Sequence, residues 1–404
     1  LFLGEYRQAF KKSNLILDFG YTKGYKNTSN TKSSGSKSHF FSKFVKDFAG
    51  TDNSNNNLEI TFQETSHDKY LKLYKIKSNL VSSEIDTLEK SINFFHEKDD
   101  LFLGLEASLY ETLKEDYNDK YEYILPDIVL DKNLLSSDEY GNFDLRSNFK
   151  VHNYDTNKYN KFFVNDIDWK YRNINFSNIN TKLIGKLKNV NYETKNTPIF
   201  KEKTTSEFFG ALGYLLDIDL VKSTENKARH LLKPKALFRY APGNMREEDN
   251  KTRLNSRNIF SLDRLNSYNN FESGLSATLG FDYKLQDNNK ELNFSIGQVI
   301  NDKENKNMPA SSSLDQKFSD VVAHTDLRIN ENLELNYNFA LDQNYQQFNY
   351  NELNTKILLN PVNLNFSYVQ EKEHIGNQEY FKGKVDFAPN KYGIFSAETK
   401  RNLI

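Results

Sequence analysis

The stretch Leu333-Glu334-Leu335-Asn336-Tyr337-Asn338-Phe339-Ala340-Leu341-Asp342 decides the fold: every odd position is apolar and nearly every even one is polar. Successive side chains of a strand point to opposite faces, so a period of two gives one apolar and one wet face. Helical spacing does not fit it.

The same period recurs in Leu58 to Gln63, Leu101 to Leu109, Phe143 to His152, Ile167 to Arg172, Leu275 to Leu285, Leu292 to Ile296 and Leu364 to Tyr368. Between these segments lie stretches dense in Asn, Ser, Lys, Asp and Gly, among them Lys23 to Ser38, Ala49 to Asn57, Asp287 to Lys290 and Asn301 to Asp320, which is turn and loop chemistry. Asn79 to Glu97 breaks the pattern and suits either an amphipathic helix or a pair of strands.

Two all-β architectures alternate in this way, a soluble sandwich or solenoid and a large antiparallel transmembrane β-barrel. Three features favour the barrel. Several segments approach the roughly 9 to 11 residues that a tilted strand needs to cross a bilayer; short turns mix with long loops; and aromatic residues gather near strand ends. A sandwich stops well short of this length of strand after strand, and no fixed short repeat marks a solenoid. At about 20 to 25 residues for each barrel strand with its turn, the chain holds about 16 to 20 strands. Leu333, Leu335, Tyr337, Phe339 and Leu341 are then expected to face lipid, and Glu334, Asn336, Asn338 and Asp342 the lumen.

Composition agrees. The 404 residues are 37% hydrophobic, and with 24 Tyr and 31 Phe against 1 Trp and 2 Met much of that content lies in flat rings, which favour strands. A mean hydropathy of -0.75 suits a wide barrel, which needs apolar residues only on its outer band. The longest apolar run, Phe208 to Leu216, is interrupted by glycines, whereas a membrane helix needs about 20 mostly apolar residues. A net charge of -1 with interspersed signs gives no field to attract nucleic acid, and the absence of Cys excludes disulfides and thiolate chemistry within these residues. Leu1 in place of Met, and a strand-like pattern still running through Glu398 to Ile404, lead us to expect a longer parent chain at both ends.

Leu237-Phe238-Arg239-Tyr240-Ala241-Pro242-Gly243-Asn244-Met245-Arg246 is followed by an Asp-Arg-Leu at Asp263-Arg264-Leu265 and by Glu272-Ser273-Gly274, which opens an alternating strand through Gly280. A strand ending in Arg-Tyr-x-Pro, a loop carrying Asp-Arg-Leu, and Glu-x-Gly opening the next strand together resemble the central barrel of the LptD (OstA) family. Leu3 to Arg7, Asp68 to Tyr74 and Tyr123 to Asp127 fall in that family's order. Asn142 to Trp169 departs from it, with Asn and Lys at Asp155 to Lys161 where the family tends to carry Gly and Arg.

The resemblance implies a non-enzymatic outer-membrane translocon component, integral to the Gram-negative outer membrane, that inserts lipopolysaccharide into the outer leaflet. It further implies an LptE-like plug lipoprotein in the lumen and a periplasmic LptA-like bridge protein that docks on an N-terminal jelly-roll domain. Residues 1–404 would then be the barrel domain, truncated at both ends, with jelly-roll and gate strands outside it. A porin-like or other transport barrel is the alternative on the same architecture.

Candidate chemistry is sparse. The seven histidines, His39, His67, His96, His152, His230, His324 and His374, lack the spacing of a zinc site. Asp99-Asp100 and Asp315 to Asp320 lack a calcium loop's ligand spacing. His152 and His324 lie near serines without the supporting pattern of an outer-membrane phospholipase. No cofactor is implied. Arg239, Tyr240, Pro242, Arg246, Asp263, Arg264, Glu272, Gly274 and Gly280 carry the resemblance, the charged ones suited to pinning a loop or lining the lumen through ion pairs, a structural role ahead of substrate contact. Lys150, Lys170 and Arg172 lie on polar strand faces, where cations suit the phosphates of lipopolysaccharide.

Overall fold

The computed structural model describes residues 1–23, 35–50, 54–114, 119–176, 179–225, 228–248, 251–372, 376–390 and 393–404. Among the described residues 21 strands belong to one sheet. In chain order they are β1 (Phe2–Phe10), β2 (Ser13–Thr22), β3 (Lys37–Ala49), β4 (Asn55–Thr65), β5 (Thr87–Lys98), β6 (Leu101–Thr112), β7 (Tyr121–Ser137), β8 (Gly141–Asp155), β9 (Lys158–Phe176), β10 (Ile179–Lys195) and β11 (Thr205–Ile218). There follow β12 (Leu220–Ser223), β13 (Arg229–Ala241), β14 (Gly274–Gln286), β15 (Lys290–Asn301), β16 (Val321–Ile329), β17 (Leu333–Leu341), β18 (Phe348–Leu359), β19 (Val362–Glu371), β20 (Gln378–Asn390) and β21 (Gly393–Asn402). Among the described residues the one α-helix is α1 (Tyr70–Tyr74), and none of the described helices is long and apolar enough to cross a membrane.

β11 and β12 meet β13 in one continuous register, Asp217 opposite Lys235 and Leu220 opposite Leu232, so β12 is the far end of an interrupted strand. Each alternating segment read from the sequence lies within a strand, except for Asp342 at the end of the first. Asn79 to Glu97 is neither a helix nor a strand pair: it yields β5 alone, from Thr87 onward. The helical turn comes earlier, at Tyr70–Tyr74.

The chain divides into two compact units. The first comprises Leu1–Ser136, Phe143–Ile167 and Asn189–Phe208. Its strands align rings and aliphatic chains on one face, with Phe2 opposite Tyr21, Phe19 opposite Phe40, Ile60 opposite Ile92 and Phe94 opposite Leu105. The β4–β5 connection buries Tyr70, Leu71, Ile76 and Val81 in a core with Phe41, Leu88 and Leu113. Tyr70 Oη lies 3.2 Å from Nδ1 of buried His39, whose Nε2 is 3.0 Å from Asp18, and burial pushes the Tyr70 hydroxyl up to about 12.

The second unit comprises Ser137–Asn142, Asp168–Lys188 and Phe209–Ile404. Cross-strand register carries one apolar face from β11 to β20: Leu212 lies opposite Tyr240, Tyr240 opposite Leu275, Phe281 opposite Ile296, Ala323 opposite Phe339, Tyr337 opposite Leu353 and Tyr368 opposite Phe381. Its other face is polar, with Lys233 opposite Asp282, Ser295 opposite His324 and Asn338 opposite Glu352. The odd residues of β17 therefore share the apolar face and Glu334, Asn336 and Asn338 the polar one. Asp342 lies past the strand's end, where its carboxylate accepts the Gln346 and Gln347 amides at 2.7 and 3.1 Å. Long connections follow β13 and β15, and tight turns follow β14, β16 and β18.

Candidate functional site

The polar face of the second unit is not bare, because the connection after β13 folds back onto it. A close approach of backbone to sheet needs missing side chains, and glycines supply them. Gly280 and Gly297 face each other across β14 and β15. A Cβ on Gly280 would stand 2.2 Å from the Ile296 carbonyl oxygen; one on Gly297 would stand 3.1 Å from Ile259, and one on Gly213 2.7 Å from Leu262. Ile259 and Leu262 of the connection thus occupy ground that strand side chains would otherwise fill. Met245, Leu254, Ile259 and Leu265 form a core with Met308 and Leu314 of the β15–β16 connection and with Val299, Val322 and Ala340 of the sheet.

Ions fix the same segment. Arg239, at 1% exposure, donates from Nε to the Leu262 carbonyl at 2.7 Å and from Nη2 to the Glu272 carbonyl. Arg264, fully buried, forks onto the Glu272 carboxylate, with Nε to Oε2 at 2.8 Å and Nη2 to Oε1, and also reaches Ser276 Oγ at 3.0 Å. Arg239 Nη1 lies 3.6 Å from Glu272 Oε1, and its guanidinium stands 5.5 Å from the centre of the Phe271 ring. Burial alone would raise the Glu272 carboxyl, but the flanking Arg239 and Arg264 outweigh it and hold the group below the usual glutamate range. Lys188 adds a third cation, 3.7 Å from Asp263 and donating to the Ser267 carbonyl. At the far side Arg253 meets Glu371 and stacks 3.7 Å from the centre of the Tyr350 ring.

Of the residues singled out in the sequence, Arg239, Asp263, Arg264 and Glu272 meet in this cluster. Arg246 caps the same segment, donating to the Asn269 carbonyl and exchanging hydrogen bonds with Asn270 at 3.3 and 3.0 Å. Tyr240 is exposed on the apolar face, Pro242 is exposed just beyond β13, and Gly274, at φ 119°, opens β14 in a backbone region that disfavours a Cβ. Gly280 lies where β14 and β15 approach most closely, opposite Gly297. Lys188, Phe271 and the Arg253–Glu371 pair were missed; their partners are far away in sequence, and a single sequence carries no sign of such pairing.

The three proposed phosphate contacts fall differently. Lys150, in the first unit, is held 3.0 Å from Asp127. Lys170 and Arg172, in the second, are exposed, and Arg172 acts electrostatically on Asp219. Near Arg172, Lys233 pairs with Asp219 at 2.8 Å, and Lys233, Lys235 and Asp282 line a cavity of about 380 Å³, with Lys235 paired to Asp282. The histidines serve local bonds: His96 to Asn56, His152 to Glu122, His230 to Tyr283, and His324 to Asn338 and Asp326. His67 is buried, and His374 lies outside the described residues. No group of three metal-ligating side chains occurs among the described residues.

An antiparallel sheet of 21 strands, with an aromatic and aliphatic face and a polar face, is built as the wall of a membrane β-barrel is built. A family model described as LptD, LPS transport system D, matches residues 45–391. The chain belongs to the LptD family, a family of lipopolysaccharide transport and outer-membrane assembly rather than of enzymes. No curated protein matches the chain.

Proposed function

We propose that this chain forms the wall of the outer-membrane translocon that delivers lipopolysaccharide to the outer leaflet. The family match over residues 45–391 carries the reading, and the two-faced sheet supports it: an apolar face suits hydrocarbon, and a polar face suits a hydrated path for sugar and phosphate. There is no covalent step. An LptE-like lipoprotein in the lumen and an LptA-like protein on the periplasmic side belong to the same proposal, as does integral placement in the outer membrane. Depletion of the full-length protein is expected to remove lipopolysaccharide from the cell surface, measured with a membrane-impermeant label on intact cells, while total lipopolysaccharide persists. Unchanged surface labelling would overturn the reading, and open-pore conductance of the purified full-length protein would favour the porin alternative.

A further inference from the structure

The apolar face of the first unit is interrupted at one place. On β6 and β7, Leu105 lies opposite Ile128 on that face, and their neighbours Glu106 and Asp127 oppose each other on the polar one. Asn148 and Lys150 of β8 reach Asp127 at 2.7 and 3.0 Å and so share the polar face. Ser147 and Phe149 alternate with them and lie on the apolar side. Phe149 is exposed there against exposed Phe163 of β9, with 6.4 Å between ring centres. Asn165, two residues on from Phe163, shares its side. Across this side runs a row of hydrogen-bonded polar groups. Ser147 donates to Asn165 Oδ1 at 2.7 Å, Asn165 to Asn189 Oδ1 at 3.4 Å, and Asn189 to Ser206 Oγ at 3.3 Å. The strands β8 to β11 give one member each, a length of about 14 Å at the spacing of a sheet.

Asn191 joins the row, donating to Asn189 Oδ1 at 2.6 Å and to the Phe163 carbonyl at 3.2 Å. Beyond it, toward the β8–β9 and β10–β11 connections, the same side of β9 and β10 stays polar: Tyr159 and Lys161 both donate to Glu193, at 2.8 and 3.1 Å. Phe163 is the one apolar side chain among them. On β8, by contrast, Phe149 and Val151 carry the apolar side four residues past Ser147, about 13 Å along the strand. The row is also not closed on itself. Each carboxamide has two N–H donors and an acceptor oxygen, and neither Asn191 Oδ1 nor the second N–H of Asn165 has a partner among the described residues. Both side chains are partly exposed. Hydrocarbon offers such groups nothing, and leaving them unpaired there is expensive, whereas a bilayer thins to meet a short apolar band at modest cost. The second response wins, and water or lipid headgroups come down to the amides.

We infer that the outer side of β8–β10 seats a thinned patch of bilayer, in which headgroups and water sink to the Ser147–Asn165–Asn189 row. The inference rests on the membrane placement proposed above, and a control label keeps the two apart. The full-length protein, with one introduced thiol, carries a nitroxide at Phe163→Cys or at Ile92→Cys and is reconstituted in dioleoylphosphatidylcholine vesicles. Ile92 is exposed on the same apolar face, opposite Ile60. Power-saturation EPR compares collisions with oxygen, which concentrates in hydrocarbon, and with a polar nickel chelate, which stays in water. The chelate is expected to dominate at position 163 and oxygen at position 92. Asn165→Leu combined with Asn189→Leu should raise the boundary and turn the label at 163 toward oxygen. If that variant does not fold, as judged by heat-modifiable migration, Asn191→Leu removes the unpaired carbonyl and should move the same label in the same direction by less. Oxygen dominating at 163 in the parent, or a label there that no folded variant moves, would overturn the thinned patch. So would a label at 163 shielded from both reagents, which would mean that protein covers the row. The chelate dominating at 92 as well would sink the membrane placement itself, and the patch with it.

Discussion

Glu272 stands between two guanidinium groups that are themselves out of water, and this sets what its loss would cost. Breaking a buried charge cluster by removing one partner leaves the others uncompensated, at about 3 to 5 kcal/mol. Glu272→Gln is therefore expected to destabilise the folded protein by that order, read as a lower temperature of conversion to the unfolded band in detergent gels. A migration temperature equal to that of the parent would show that the cluster is not what holds the connection. The pH dependence follows from the same geometry. Because the folded carboxyl lies below the usual value of 4.5, its contribution is fully present above that value and is lost as pH falls through the lower folded one. Glu272→Gln should accordingly narrow the stability gap to the parent in acid and restore it at neutral pH. The residues of this cluster were legible as a motif, since Arg239, Asp263, Arg264 and Glu272 lie within one stretch. Lys188 was not, because nothing in a sequence reports which strand passes beneath a loop.

At the scale of elements, alternation was legible because it is a local property of each strand, and it placed the odd and even residues of β17 on opposite faces. The fold of the β13–β14 connection onto the sheet was not, because it depends on Gly213 and Gly297, on separate strands, leaving room for Leu262 and Ile259. Gly280 entered the sequence reading only through a family pattern; its physical reason is the 2.2 Å separation a Cβ would have from the Ile296 carbonyl oxygen. Backbone cannot retreat as a flexible side chain can. Gly280→Ala is expected to force β14 and β15 apart and to destabilise by about 1 to 3 kcal/mol, the usual cost of overpacking. Gly393→Ala, where an added Cβ meets nothing within 4 Å, should leave stability unchanged. Equal melting of the two variants would remove the close β14–β15 approach as the reason for a glycine at 280. The strand count was reachable only roughly, since an interruption like that between β11 and β12 leaves no mark in hydropathy.

For the whole molecule the central question is which face meets hydrocarbon, and side-chain exchange between faces answers it. Leu279 is half exposed on the apolar face, opposite Ala236, in the middle of β14. A charged side chain at the centre of the lipid-facing band of a membrane barrel costs about 2 to 4 kcal/mol, while the same change on the lumen side is tolerated. Leu279→Arg is therefore expected to reduce the amount of folded, membrane-extracted protein sharply. Asn363→Arg, on the polar face opposite Asp386, should assemble at the parent's level, since the new cation gains a carboxylate neighbour. Quantifying heat-modifiable protein in outer-membrane fractions separates the two. If both variants assembled equally, the apolar face would be covered by protein rather than lipid, and the sheet would belong to a soluble or adhesin-like assembly despite its alternation. If Asn363→Arg alone failed, the faces would be reversed, and the face on which Lys233 lies opposite Asp282 would be the one that meets hydrocarbon.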